Sequence, residues 1–160
     1  MEKLSGDDGG LVSPVYSHDP QNNPLVERRT DKGLQLFVIF TDAAGTLAAL
    51  QMADGLAEKL EAHIRLLVPY EVPYALPLTQ PAVPVRFLER QIHGIAAMAQ
   101  GEVAAEIYLC RDKKRTLELL LRPESLILVG GKRHWWPTPS RRLARALQRN
   151  GHQVIFAELR

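Results

Sequence analysis

The chain has little cysteine, few aromatic residues and no long hydrophobic run. Cys110 is the only cysteine among its 160 residues, which excludes an intramolecular disulfide framework and a zinc site built on paired cysteines. No apolar stretch approaches the roughly 20 residues that a membrane-spanning helix needs. Residues 1–10 also lack the apolar segment of a secretory signal. These absences predict a cytoplasmic protein with no membrane insertion.

The usual motifs of nucleotide-binding and hydrolytic enzymes are also absent. The sequence contains no Gly-x-x-x-x-Gly-Lys-(Ser/Thr), no Gly-x-Gly-x-x-Gly and no Gly-x-Ser-x-Gly. Its histidines lack the spacing of metal ligands, so no metal site is expected. Because no nucleophile and base stand out as a pair, the chain is not expected to be an enzyme.

The overall charge is close to balanced. Lysine and arginine number 20 against 18 aspartates and glutamates, a formal net charge of +2. A field this weak does not favour nucleic acid as a partner, and we expect none. Any basic patch must therefore be local.

The composition divides the chain in two. Residues 1–33 are rich in glycine, proline, aspartate, asparagine and serine and show no sustained periodicity. Such a segment buries too little apolar surface to offset its ordering entropy, so we expect a disordered N-terminal arm. The arm is a candidate docking segment for a protein partner such as a membrane transporter or a kinase. Residues 34–160 are expected to form one domain.

Within that domain, apolar runs alternate with amphipathic segments. Strands are predicted at 34–40, 64–68, 103–110, 125–131 and 154–156, and helices at 47–60, 85–99, 113–121 and 140–149. The proline-rich segment 69–84 is expected to be irregular. This order predicts an α/β fold, a doubly wound and mainly parallel five-stranded sheet with helices on both faces.

The two most apolar strands, with their apolar runs at 36–40 and 126–129, are expected to be central and adjacent. In such a sheet ligands bind outside the carboxyl ends of the strands, where the strand order reverses. Thr41 and Asp42 follow the first of these strands, and Gly130 and Gly131 lie at the end of the other. We therefore expect these four residues to face one crevice.

The order and spacing of these features resemble the universal stress protein family. The resemblance covers residues 34–159: a strand ending in Asp42, a helix rich in small residues, a Leu-Leu-Val-Pro strand, a glycine after the fourth strand and a last helix leading to a short apolar strand. It implies a fold like that of the adenine nucleotide alpha hydrolases. In the ATP-binding branch, an aspartate after the first strand contacts the nucleoside and a Gly-x-x-Gly, nine residues, Gly-(Ser/Thr) motif wraps the phosphates.

This chain departs from that phosphate-loop motif. Asp42 and Gly130 match, but Arg133 stands where the next glycine belongs, and the loop up to Ser140 and Arg141 is shorter than the motif requires. Without those glycines, backbone N–H groups approach phosphate less easily. The resemblance therefore implies a divergent member with a degenerate phosphate loop, and ATP binding in the manner of the family is not expected.

The loop after the fourth strand is the most unusual feature of the sequence. It contains Lys132, Arg133, His134 and both tryptophans, and further arginines follow on the last helix. One hypothesis is an anionic ligand, ATP or another nucleotide, held at a helix N-terminus capped by Ser140. The residues assigned to that ligand are Asp42, Gly130, Gly131, Lys132, Arg133, Ser140 and Arg141.

Each part of this site also has a structural interpretation. Trp135 and Trp136 can instead cover a non-binding loop or a dimer seam, with the arginines on a solvated helix face. Asp42 can instead cap the following helix at Ala44 and Gly45. Both alternatives stay open at the level of sequence.

The resemblance implies a non-catalytic binding or signalling module of the stress response. Domains of that family commonly pair along the terminal strand, so a homodimer is expected through residues 154–157, an apolar edge. The alternative function is an ATP- or nucleotide-binding switch with a remodelled phosphate loop and slow ATP hydrolysis.

Overall fold

The computed structural model describes residues 14–18 and 33–159. These residues form six strands and four helices. In chain order they are β1 (Tyr16–His18), β2 (Gln35–Ile39), α1 (Ala43–Leu60), β3 (His63–Glu71), α2 (Val85–Ala97), β4 (Val103–Cys110), α3 (Lys113–Leu120), β5 (Leu126–Lys132), α4 (Pro139–Arg149) and β6 (Gln153–Leu159).

The strands form one sheet in the order β1-β4-β3-β2-β5-β6. Every neighbouring pair is parallel except β1 with β4. Val38 in β2 pairs with Leu66 in β3 on one side and with Leu128 in β5 on the other. The predicted adjacency of the two most apolar strands is thus confirmed, and both are internal to the sheet.

The sixth strand, β1, was not predicted. It lies inside the segment expected to be a disordered arm, and it pairs antiparallel with β4, from Tyr16 opposite Ile107 to His18 opposite Ala105. Three residues are too few to show a period, so the sequence gives no signal for this strand. The rest of the expected arm, 1–13 and 19–32, lies outside the described residues.

The sheet separates two apolar layers, as the predicted doubly wound fold requires. Alternate residues of β2 point to opposite faces. Leu36 and Val38 join the layer under α1 and α2, whereas Phe37 and Ile39 join the layer under α3 and α4. Since both faces are covered, β2 reads as a continuous apolar run.

Several predicted boundaries need correction. β3 does not stop before Pro69 but continues to Glu71. Pro69 lies beyond the last β2–β3 pair, Ile39 with Leu67, so its missing N–H costs no bond to β2. The second helix ends at Ala97, two residues before its predicted end at residue 99. The first helix begins at residue 43 and not at 47, and the last strand covers 153–159 and not only 154–156.

A polar cluster interrupts the layer under α3 and α4. Arg65 donates from Nη2 to Glu106 Oε1 at 2.5 Å and from Nη1 to Gln35 Oε1 at 3.3 Å. The hydroxyl of Tyr108 donates to the other oxygen of Glu106. The carboxylate of Glu106 is buried, so these bonds offset its desolvation.

None of the helices in the described ranges is long and apolar enough to cross a bilayer.

Candidate functional site

The crevice predicted from the sequence lies where β2 ends and α1 begins. Asp42 has extended backbone angles and is the N-cap of α1, accepting from Gly45 N at 2.7 Å. Thr41 N donates to Thr46 Oγ1 at 3.1 Å, and Thr41 Oγ1 donates to Gly130 O at 2.8 Å. The polar groups at the end of β2 are therefore used to join α1 to β5.

Two glycines bring the backbones of α1 and β5 into direct contact. A Cβ on Gly45 would lie 2.6 Å from Gly130 O, and a Cβ on Gly130 would overlap the carbonyl of Gly45. Both residues are buried. Absence of a side chain at these positions is thus required for helix-to-strand packing. We call residues 41–46 with Gly130 the Gly45–Gly130 junction.

Gly131, the residue of β5 that follows Gly130, is also needed for packing. A Cβ on Gly131 would overlap Ser140 Oγ and would lie 3.0 Å from Phe156 Cζ. Glycine at 131 therefore lets α4 approach the sheet closely, and this backbone is covered by the first turn of α4.

The N-terminus of α4 differs from the prediction. Thr138, not Ser140, is the N-cap, and its Oγ1 accepts from Arg141 N at 3.3 Å. Pro139 occupies the first turn, where a fixed φ and a missing N–H suit it. Ser140 lies one position further in, with its Oγ 3.0 Å from Thr138 Oγ1. The signal that could have identified the cap is the Thr-Pro pair itself.

Arg141 is already engaged within the domain. Its Nη2 donates to Glu158 Oε1 at 2.7 Å, and its guanidinium lies 4.8 Å from the centre of the Phe156 ring. Lys132, the last residue of β5, and Arg133, which follows it, are both exposed. The three cations assigned to one anionic ligand are therefore divided: two face solvent, and the third joins α4 to β6.

The tryptophans of the loop do not cover it within a single copy of the chain. Trp135 is 92% exposed and Trp136 is 77% exposed. Arg142 and Arg145 face solvent, as the solvated-helix interpretation expected. Covering of the loop by the tryptophans is thus wrong for one protomer.

Arg111, which follows β4 and was not among the predicted site residues, holds the proline-rich connection that follows β3. Arg111 Nη1 donates to the carbonyls of Val72, Pro73 and Leu76 at 3.0, 2.7 and 2.9 Å. The ring of Tyr74 lies 5.1 Å from its guanidinium. Prolines remove N–H donors from this connection, so its carbonyls need a donor from elsewhere. That shortage is the signal that could have identified Arg111.

Cys110 ends β4 beside this arginine and is buried. Burial raises the pKa of its thiol, and the nearby carboxylates of Glu71 and Asp112 act in the same direction. A thiol with a raised pKa stays protonated at neutral pH and is a poor nucleophile. The burial of Cys110 in β4 therefore indicates a structural role in packing.

A cavity of about 780 Å³ lies at the opposite, amino edge of the sheet. It is lined by residues of α1, the start of β3 and the turn before β4. Both carboxylate oxygens of Asp54 there accept backbone N–H groups, from Gln100 and Gly101. Within the described residues no group of three or more His, Cys, Asp or Glu could hold a metal ion.

Neither a family model nor a curated protein matches the chain. Among solved structures, it is similar to the "Crystal structure of universal stress protein in complex with cAMP". The TM-score is 0.47 and the identity 12%, over 78% of this chain and 96% of the other.

Proposed function

We propose that this chain is a universal stress protein-like binding or signalling module of the stress response, without catalysis and without ATP binding in the manner of that family. The observation that carries the proposal is the Gly45–Gly130 junction. A phosphate loop needs backbone N–H groups that are open to a ligand. At this junction the backbone of Gly130 is packed against that of Gly45, and Asp42 Oδ1 accepts from Gly45 N.

A second candidate is a nucleotide-binding switch with a remodelled phosphate loop and slow ATP hydrolysis. It is favoured by the exposure of Asp42, Lys132 and Arg133 at the same edge of the sheet. The cationic side chains of Lys132 and Arg133 remain accessible to the phosphates of a ligand that bypasses the closed glycine backbone, whereas the carboxylate of Asp42 could only accept hydrogen bonds from its uncharged part. The contact would then rest on side-chain charge.

Calorimetric titration of the full chain with ATP, AMP, cAMP and polyphosphate separates the two candidates. We expect no heat of binding from ATP. Saturable ATP binding that is lost in the Lys132→Gln/Arg133→Gln variant, and retained in Arg86→Gln/Arg90→Gln, would establish the second candidate instead. Arg86 and Arg90 are exposed on α2, so this control removes the same charge elsewhere.

Turnover gives an independent check. Release of inorganic phosphate from ATP by the purified chain is expected to equal the buffer blank. A slow release that disappears in Asp42→Ala would favour the switch.

We further propose a cytoplasmic homodimer. β6 is an edge strand of the sheet, and Val154, Ile155 and Phe156 in it are only partly buried. An apolar edge of this kind favours strand pairing. Light scattering after size-exclusion chromatography should give twice the mass of the 17.9 kDa chain, and a monomer at micromolar concentration would contradict the proposal.

A protein partner that docks on the N-terminal residues 1–33 is the last element of the proposal. A pull-down with the full chain and with a chain that starts at Leu34 tests it, since a partner retained only by the full chain supports docking.

A further inference from the structure

The two tryptophans are placed where the folded domain gains nothing from them. A buried tryptophan removes about 150–250 Å² from water. Trp135 and Trp136, which are consecutive, leave 92% and 77% of their surface exposed. A single exposed apolar side chain needs no explanation, but two adjacent large aromatic rings indicate an interaction site.

The sequence around them carries charge of one sign, although in the folded domain Glu158 pairs with Arg141 and Glu118 lines the same small pocket as Arg149. Between Glu124 and Glu158 the sequence contains no aspartate or glutamate, while it contains six lysines and arginines. They are Lys132, Arg133, Arg141, Arg142, Arg145 and Arg149. The net charge of the whole chain does not show this uneven distribution. The expectation of no anionic macromolecular partner, drawn from the net charge, therefore does not apply to this part of the surface.

Five of these cations and both tryptophans are exposed, on the end of β5, the loop that follows it and α4. Arg142, Arg145 and Arg149 are three and four residues apart on α4 and all are exposed, so they form a single stripe. Lys132, at the end of β5, and Arg133, on the loop that enters the same helix, are both exposed. Arg141, which binds Glu158, is the exception. We call Lys132–Trp136 and the three exposed arginines the Trp–Arg surface.

We propose that the Trp–Arg surface docks the protein peripherally on a bilayer that contains anionic phospholipid. Tryptophan is the residue that prefers the headgroup region, where its ring is buried and its N–H stays hydrated. Basic residues next to it add attraction to anionic headgroups. Stable peripheral binding generally needs two such signals together. Here an apolar tip and a cationic stripe occur on the same loop and helix.

Nucleic acid offers the same negative charge but fits the geometry less well. Proteins that bind single strands stack bases on aromatic rings that line a basic groove. Trp135 and Trp136 instead lie on a loop, with 92% and 77% of their surface exposed to solvent. Rings that are exposed in this way can enter the headgroup layer, and a flat lipid surface needs no groove.

Intrinsic fluorescence tests the proposal without a label, because the chain has two tryptophans and both are in this loop. The full chain is titrated with vesicles of phosphatidylcholine alone and of equal parts phosphatidylcholine and phosphatidylglycerol. We expect a blue shift of the emission with the anionic vesicles, and binding at least about tenfold tighter than to the neutral ones. No shift and no sedimentation with either vesicle would overturn the proposal.

Variants assign the effect to the surface. Vesicle sedimentation should fall at least about tenfold for Trp135→Ala/Trp136→Ala and for Arg142→Gln/Arg145→Gln. The Arg86→Gln/Arg90→Gln variant, which loses the same charge from α2, should bind as the wild type does. An equal loss in this control would overturn the assignment, and so would tighter binding to a single-stranded oligonucleotide than to anionic vesicles. Circular dichroism confirms that each variant is folded.

Discussion

The Gly45–Gly130 junction and the loop of the Trp–Arg surface both lie at the carboxyl edge of one sheet, yet they use their polar groups in opposite ways. In the junction, Thr41 and Asp42 bond to the backbones of Gly130 and Gly45. On the Trp–Arg surface, the cations and both indole rings face solvent. The comparison shows that the polar groups following β2 join the helix to the sheet, whereas the charged and aromatic groups of the adjacent loop and helix remain exposed.

The largest expected effect comes from placing a methyl group in the junction. Gly130→Ala should destabilise the fold by about 3 kcal/mol or more, because its Cβ would overlap the carbonyl of Gly45 and both partners are rigid backbone. Urea denaturation measures the change. Gly55→Ala is the matched control, since Gly55 lies in α1 with nothing near its Cβ, and there alanine should stabilise by about 0.5–1 kcal/mol. Equal behaviour of the two variants would mean that the junction is open.

The hydroxyl of Thr41, which donates to the carbonyl of Gly130 in β5, should contribute less to stability than the absence of a side chain at Gly130. Thr41→Val keeps the shape of the side chain but removes the bond to Gly130 O, so we expect a loss of about 1–2 kcal/mol in the free energy of unfolding. Thr41→Ser retains the hydroxyl and should recover most of that loss. A neutral valine variant would show that the carbonyl of Gly130 is satisfied in another way.

Removal of the Asp42 cap of α1 should lower the free energy of unfolding by about as much as loss of the Thr41 hydroxyl, or slightly less. Asp42→Ala is expected to lower the stability by about 1 kcal/mol, whereas Asp42→Asn should stay near the wild type because asparagine also caps helices. A role in ligand binding predicts a different pattern, in which asparagine leaves stability intact but alters nucleotide affinity. Parallel unfolding and calorimetric measurements on the two variants distinguish capping from contact with a ligand.

The smallest expected effect compares neighbouring arginines on α4. Arg141→Gln removes a partly exposed ion pair with Glu158 and the contact with the Phe156 ring, so a loss of about 0.5–1 kcal/mol is expected. Arg142→Gln should change stability by less than about 0.5 kcal/mol, because this residue is exposed. Reversal of this order in urea unfolding would show that the division between the structural and the exposed arginine is wrong.

Much of the fold could be predicted because burial leaves a periodic signal. The apolar runs of β2 and β5 predict their internal, adjacent positions, and the pattern on α1 predicts a helix that ends at Leu60. β1 could not be predicted, since three residues that pair with β4 carry no pattern of their own.

The candidate site was harder to predict than the fold, for a physical reason. A glycine at the end of a strand serves equally for close approach of a phosphate and for close approach of a helix. Gly130 and Gly131 meet the helices α1 and α4, and only coordinates distinguish these contacts from a ligand cradle. The N-cap at Thr138 was predictable in principle from Pro139, whereas the ion pair of Arg141 with Glu158 joins residues that no sequence pattern links.

The two margins of the sheet differ in length, and this limits how copies of the chain can assemble. Of the described strands, β1 forms one margin with three residues and β6 forms the other with seven. A three-residue margin is a poor template for a neighbouring strand. Pairing of β6 with β6 of a second copy would occupy the long edge strand of each molecule. Backbone association should therefore stop at a closed twofold pair and not extend into a filament.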